Sequence, residues 1–286
     1  MKSIKFVLAV AALILITDIV ANAQKLPAIQ QVSVRAPGNI KIDGKTTEWN
    51  DIFYAKNNND RILYTISNDD DKLYLTVQAL GKFGNEKIVE GGVTLTISHS
   101  VEKKREKDTS NISITFPLAT LANSSGVSTI SSNYFYFDSK ERQARKKECD
   151  SLVNVINERA DKTFKVIKIA GIKDVDTLIS VYNATGIKAA VRFDQNMILV
   201  YELAIPLKYL GLTTDNPVKF SYDIKINHKP YFRRLGNYSP GLVSHAGSGG
   251  MTMEGMVPIS ENDVPPDIIY LSFATDFWGE YTLAKK

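Results

Sequence analysis

The chain has 286 residues, 44% of them hydrophobic and 23% charged, with a formal net charge of +4. So small a positive excess points to no nucleic-acid partner, and the single cysteine, Cys149, excludes an internal disulfide and any multi-cysteine metal site. The length is ample for a sizeable core, yet it suits one large all-β domain as well as two small ones.

Residues 1–23 read as a secretory signal peptide. Lys2 and Lys5 form a basic start, Phe6 to Ile16 is an unbroken apolar run, and Ala21-Asn22-Ala23 offers small residues for cleavage after Ala23. The apolar run is too short to cross a bilayer comfortably, and Asp18 interrupts the residues beyond it. Gln24 is then the first mature residue, so no new N-terminal cysteine is expected to carry a lipid anchor. The expectation is an exported protein, periplasmic or extracellular, with no transmembrane segment in the mature chain and one domain over residues 24–286.

In chain order, Gln31 to Arg35 reads as a first strand ended by Pro37-Gly38. Ile40 to Trp49 reads as a short strand, an Asp43-Gly44 turn and a Trp that re-enters the fold; Gly accepts positive φ and Asp bonds its own backbone nearby. After the polar loop Asn57 to Asp60 come Ile62 to Ile66, the turn Asn68 to Asp71, and the clearest strand of all. There Leu73, Leu75, Val77 and Ala79 alternate with Tyr74, Thr76 and Gln78, burying one face. Val93 to Ile97 and Ile112 to Phe116 repeat the pattern around a charged hairpin tip, Lys103 to Asp108, whose charge fits a solvated loop.

Residues 139–161 break the β rhythm. Cys149, Leu152, Val153, Ile156 and Ala160 fall at helical spacing, predicting one amphipathic helix across the edge or end of the sheets. Strands then return. The alternation slips between Val166 and Ile167, as a β-bulge would make it. Ile187 to Phe193 alternates cleanly. Met197 to Ile205 is apolar on both faces except at Glu202, as in a central strand. Pro206 ends it, one helical turn spans Leu207 to Leu210, and Val218 to Ile226 is another alternating strand. A long Gly- and Pro-rich segment, 228–266, precedes closing strands at Asp267 to Phe273 and Trp278 to Leu283. The pattern predicts an all-β fold, an antiparallel β-sandwich of immunoglobulin-like or jelly-roll-like kind, with one peripheral amphipathic helix.

Four stretches stand in a telling order. They are Ile42-Asp43-Gly44 with Glu48-Trp49, Asp70 to Leu75, Tyr201 to Pro206 (including Glu202) with Leu210-Gly211-Leu212, and Phe277-Trp278-Gly279. The set resembles the family 9 carbohydrate-binding modules and the wider DOMON-like sandwiches, over nearly all of the mature chain. With the Thr275 to Gly279 ending, the chain looks similar to stand-alone exported proteins of this type in Bacteroidetes-like bacteria. The resemblance implies a sandwich that binds a saccharide or another small ligand, by association with polysaccharide breakdown. Family sugar clamps use two loop-borne Trp rings. Here the only tryptophans, Trp49 and Trp278, sit in the fold-marking motifs beside Asp43, Gly44, Glu202 and Pro206, so no clamp carries over.

The residues themselves offer further candidates. No Gly-x-Ser-x-Gly elbow, phosphate-binding Gly-rich loop or His-Glu-x-x-His helix is present, and His99, His228 and His245 show no ligand spacing. Glu202, in an apolar strand, is either a carboxylate bonded to a neighbouring segment or a catalytic acid. Asp69-Asp70-Asp71 is either a solvated turn or, as a set of hard oxygen donors in a tight loop, a calcium site. Tyr231, Phe232, Arg233 and Arg234, with Tyr238, join aromatic faces to planar donors suited to a saccharide, or else fold over a sheet edge. Met251, Met253 and Met256 serve loop packing or, as in some DOMON-like relatives, a haem. The functional expectation is a non-catalytic carbohydrate-binding module. The alternatives are an envelope structural or interaction domain with a protein partner, or a haem-binding redox module.

Overall fold

The computed structural model of the protein describes residues 25–100, 110–118, 121–135, 138–228 and 266–286. The expected signal peptide, the charged tip Lys103 to Asp108, and the whole of 229–265 lie outside them. So do Tyr231, Phe232, Arg233, Arg234, Tyr238 and the three loop methionines.

Two antiparallel sheets face each other. Their strands are β1 (Ala55–Asn57), β2 (Ile62–Asn68), β3 (Lys72–Ala79), β4 (Val93–Ser98), β5 (Ile112–Phe116), β6 (Val166–Ala170), β7 (Leu178–Ser180), β8 (Lys188–Phe193), β9 (Leu199–Pro206), β10 (Lys219–Ile226) and β11 (Thr275–Thr282). One sheet has the order β1-β2-β3-β9-β8 and the other β11-β10-β4-β5-β6-β7. The inward residues of the alternating strands meet between them. Tyr64 and Tyr222 share a hydrogen bond of 3.1 Å between their hydroxyls, and Phe116 packs on Tyr201 with centroids 6.3 Å apart. The all-β sandwich is thus the fold, driven by period-two burial on facing sheets.

The helices are α1 (Gly81–Gly91), α2 (Leu121–Tyr134), α3 (Ser139–Ala144), α4 (Lys146–Thr163), α5 (Leu207–Leu210) and α6 (Pro266–Ser272). The expected amphipathic helix is present but divided at Arg145. Its apolar face starts only at Cys149, so the first turns have nothing to bury and are held instead by an Asp138–Glu141 capping box. From Cys149 onward, Val153, Ile156 and Ala160 face the core. Helix α5 ends at Gly211 in the left-handed region, the one-turn helix after Pro206 that the sequence predicts.

Five local expectations are corrected. The run expected as a strand at Asp267 to Phe273 is instead helical over Pro266–Ser272; Pro266 and Asp267 suit a first helical turn, and a short apolar run does not distinguish the two states. Gln31 to Arg35 forms only an isolated bridge, Arg35 to Asn68. Ile40 to Ile42 is irregular and packs on the outer face of β3 and β9 rather than pairing as a strand. No bulge lies between Val166 and Ile167: Phe164 is the residue capping α4, and the strand begins after it. Strand β3, expected to bury one face, buries nearly all of both, because Trp49 covers Tyr74 from outside.

Buried amide side chains take the place of missing strands along the first sheet. Gln30 exchanges two bonds of 2.8 Å with the backbone of Ile66, beyond the reach of short β1. Asn85 does the same for Met197 and Leu199, at 2.5 and 3.0 Å. Asn157 of α4 accepts from Phe193 N at 2.8 Å and donates to Phe193 O at 2.9 Å, closing the end of edge strand β8. Each satisfies backbone groups whose desolvation would otherwise be uncompensated. Replacing Asn157 by Ala leaves both Phe193 groups without a partner and is expected to lower stability by ~2–3 kcal/mol in urea unfolding.

Candidate functional site

The site is built outward from Glu202. Its neighbours on β9, Tyr201 and Leu203, point into the core, so Glu202 points to the outer face of the sheet, where the 36–49 stretch buries it to 1% exposure. One carboxylate oxygen accepts from Asp43 N (3.0 Å) and Gly44 N (2.9 Å), the other from Trp49 Nε1 (3.0 Å). Burial pushes this carboxyl up to about 7, against the pull of those three donors. The acid is therefore an anchor bonded to a neighbouring segment, the structural alternative posed for it. Trp49 is likewise structural, edge-on to Tyr74 at 6.0 Å.

The anchored turn forms one wall of a cleft. Gly44 has φ of +77°, and a Cβ there would lie 2.5 Å from Arg192 Cβ and 2.7 Å from Arg192 N, so both conformation and space demand glycine. The cleft, ≈ 400 Å³, runs along edge strand β8. Ile42 and Asp43 flank it on the outer side; Phe116, Ala160, Phe164 and Val181 line it on the core side. Lys165, Tyr182, Lys188, Asp161 and Arg192 supply its polar rim. Tyr182 sits on the crossover from β7 to β8 with 74% of its surface exposed. Lys165 Nζ lies 2.5 Å from its hydroxyl and 4.7 Å from its ring centroid.

The floor of the cleft is unpaired backbone. Phe193 turns both its polar groups outward to Asn157, and Ile187 O accepts from Asn183 Nδ2 at 2.7 Å. In an antiparallel pair outward-facing residues alternate, so Ala189 and Val191 also present N–H and C=O to the cleft. Among the described residues these groups have no hydrogen-bond partner on that edge.

The other candidates are dispersed. Asp69 is a turn former: one carboxylate oxygen accepts from Asp71 N and Lys72 N, the other from the Tyr74 hydroxyl. Asp70 binds Lys286 and Arg35, which hold its carboxyl below the usual range. The Asp69 and Asp70 carboxylates are thus engaged by protein donors, and among the described residues no group of three or more His, Cys, Asp or Glu is placed to hold a metal, so the calcium reading gains no support. Trp278, on β11, lines a second cleft of ≈ 430 Å³, where Lys219 and Glu280 pair with each other at 3.2 Å. Pro206 ends β9, remote in role from either cleft.

A separate buried cluster joins Asp60, Lys87 and Tyr270. Lys87 Nζ donates to Thr275 Oγ1 at 2.9 Å and lies 4.0 Å from the Tyr270 ring centroid. Arg61 stands over the same ring at 4.4 Å and pairs with Asp267 at 2.6 Å, fastening α6. Burial lowers the Lys87 ammonium to about 8 despite nearby Asp60, and burial raises Asp60.

Sequence reasoning did not single out Tyr182, Lys165, Lys188 or Arg192. The available signal was an aromatic inside the polar turn Val181-Tyr182-Asn183-Ala184-Thr185-Gly186, followed by basic residues on one face of the next strand. The fold and site define an antiparallel sandwich with a polar, aromatic-marked cleft along an open edge. No family model, no curated protein and no solved structure matches the chain. Among the described residues no helix is long and apolar enough to cross a membrane.

Two buried groups make stability depend on pH. Glu202 has its folded pKa raised from 4.5 to about 7, so the folded state holds the proton more tightly in between. Its contribution is then present below pH 4.5 and lost as pH rises toward 7; unfolding of Glu202→Gln, compared with wild type across that window, is expected to remove this slope. For Lys87, lowered from 10.5 to about 8, the sign reverses. Stability gained by wild type relative to Lys87→Met is expected to increase between pH 8 and 10.5, read from urea midpoints.

Proposed function

We propose that the protein is an exported, non-catalytic saccharide-binding module, as its resemblance to family 9 carbohydrate-binding modules implies, and that it binds along β8. The observation that carries this reading is Tyr182: a large aromatic left 74% exposed beside a cleft whose rim is basic and hydrogen-bonding. Sugar rings set their C–H faces on aromatic rings. Their hydroxyls accept from lysine and arginine, and exchange bonds with unpaired main-chain groups such as those of Ala189 and Val191. The Trp278 cleft supports the reading less, because its lysine and glutamate are already engaged with each other.

A second reading, an envelope interaction domain, draws on the same open edge, since an unpaired strand edge is also a template for another chain. Crosslinking in the native envelope distinguishes it by recovering a partner joined through β8.

Calorimetry against a panel of soluble glycans tests the proposal. Binding is expected in wild type and is expected to fall by about tenfold or more in Tyr182→Ala, the scale of losing an aromatic stacking contact. Stability should stay within ~0.5 kcal/mol, because the ring is exposed. Silence across the panel removes the saccharide reading.

A further inference from the structure

The cleft contains an unequal charge balance. Lys165, Lys188 and Arg192 line it against Asp43 and Asp161. Asp43 already faces Lys45 at 3.6 Å, Lys188 Nζ donates to Asn183 O at 2.9 Å, and Lys165 is held at the Tyr182 hydroxyl. Arg192 stands apart: among the described residues its guanidinium has no carboxylate partner. The Arg192 stem leaves β8 against Gly44, whose missing Cβ gives it room.

We propose that this cleft takes an acidic saccharide, a uronic-acid-bearing chain whose carboxylate is received by Arg192 while a sugar ring lies on Tyr182. The inference rests on the saccharide reading above and names its ligand class. A planar guanidinium matches a carboxylate with two parallel charge-assisted donors, and a neutral sugar hydroxyl brings no charge to that contact. The two lysines add attraction without the same geometry.

An acidic peptide adding to β8 as a further strand would use the same charges, but the edge argues against it. Asn183 occupies Ile187 O, and Asn157 occupies both groups of Phe193. Between these caps only Ala189 to Val191 is open, a window of ~10 Å at ~3.3 Å per residue. Strands are usually about five or six residues long. Isolated main-chain donors and acceptors in so short a window suit ring hydroxyls better than a continuous ladder.

Calorimetry with galacturonate and mannuronate hexamers, each beside its carboxyl-reduced counterpart, and with a hexaglutamate peptide tests the assignment. At least one uronate hexamer is expected to bind about tenfold or more tightly than its reduced form, the scale of a charge-assisted bidentate contact. Arg192→Gln is expected to erase that preference by weakening the uronate hexamer at least tenfold more than its reduced form, and added salt is expected to shrink it in wild type. Equal affinity for acid and reduced forms, or a preference that survives Arg192→Gln, overturns the acidic assignment and leaves the saccharide reading standing. No binding of any sugar overturns both. Hexaglutamate binding as tightly as the uronates, with the same dependence on Arg192, overturns it in favour of a peptide ligand.

Discussion

A single carboxylate, that of Glu202, ties an irregular stretch of chain to the outer face of a sheet. Burying an acid costs several kcal/mol unless donors surround it, and here two main-chain N–H groups and one indole N–H converge on its two oxygens. In return Trp49 is set down on Tyr74 and Ala204, with Ile40 and Ile42 packed beside it. The first sheet thereby gains a covered outer surface that its own strands do not provide. The same bonds fix the Asp43-Gly44 turn against Arg192, so that the anchor of the fold is also a wall of the cleft.

Edges are the second organising problem of this sandwich. An open strand edge exposes main-chain donors and acceptors to solvent and to other chains. In the first sheet, side-chain amides of Gln30, Asn85 and Asn157 take up main-chain groups that neighbouring strands leave open. Asn68 fastens the chain end, accepting from Tyr281 and from Ala284 N at 3.2 and 2.7 Å. Along β8 the closure is incomplete. Asn157 and Asn183 seal its ends and leave Ala189 and Val191 facing a polar cleft. The proposed saccharide site lies where this closure is left open, beside an aromatic ring that the core does not need.

The buried Asp60–Lys87–Tyr270 cluster plays a different part. Its charges are shielded by Thr275 and by the ring of Tyr270, and Arg61 on the same ring reaches Asp267 at the head of α6. Two cations on one aromatic ring hold the returning helix against α1 and the turn between β1 and β2. Electrostatics thus helps to fasten this part of the molecule.

The sequence alone determined the sandwich, because period-two alternation over Leu73–Ala79, Val93–Ile97, Ile112–Phe116, Ile187–Phe193 and Val218–Ile226 gives each strand one apolar face that two stacked sheets bury together, whatever later covers the other face. It also determined the turn at Gly211 and the internal strand around Glu202, where proline, glycine and continuous apolarity are local signals. The short apolar run at 267–273 was decided by tertiary packing, since helix and strand both bury Tyr270 and Leu271. The roles of Glu202 and of the cleft were decided there too. Hydrogen bonds between residues more than 150 positions apart, and an edge left open only between two capping amides, arise from how the sheets are laid together; no local pattern of residues encodes them.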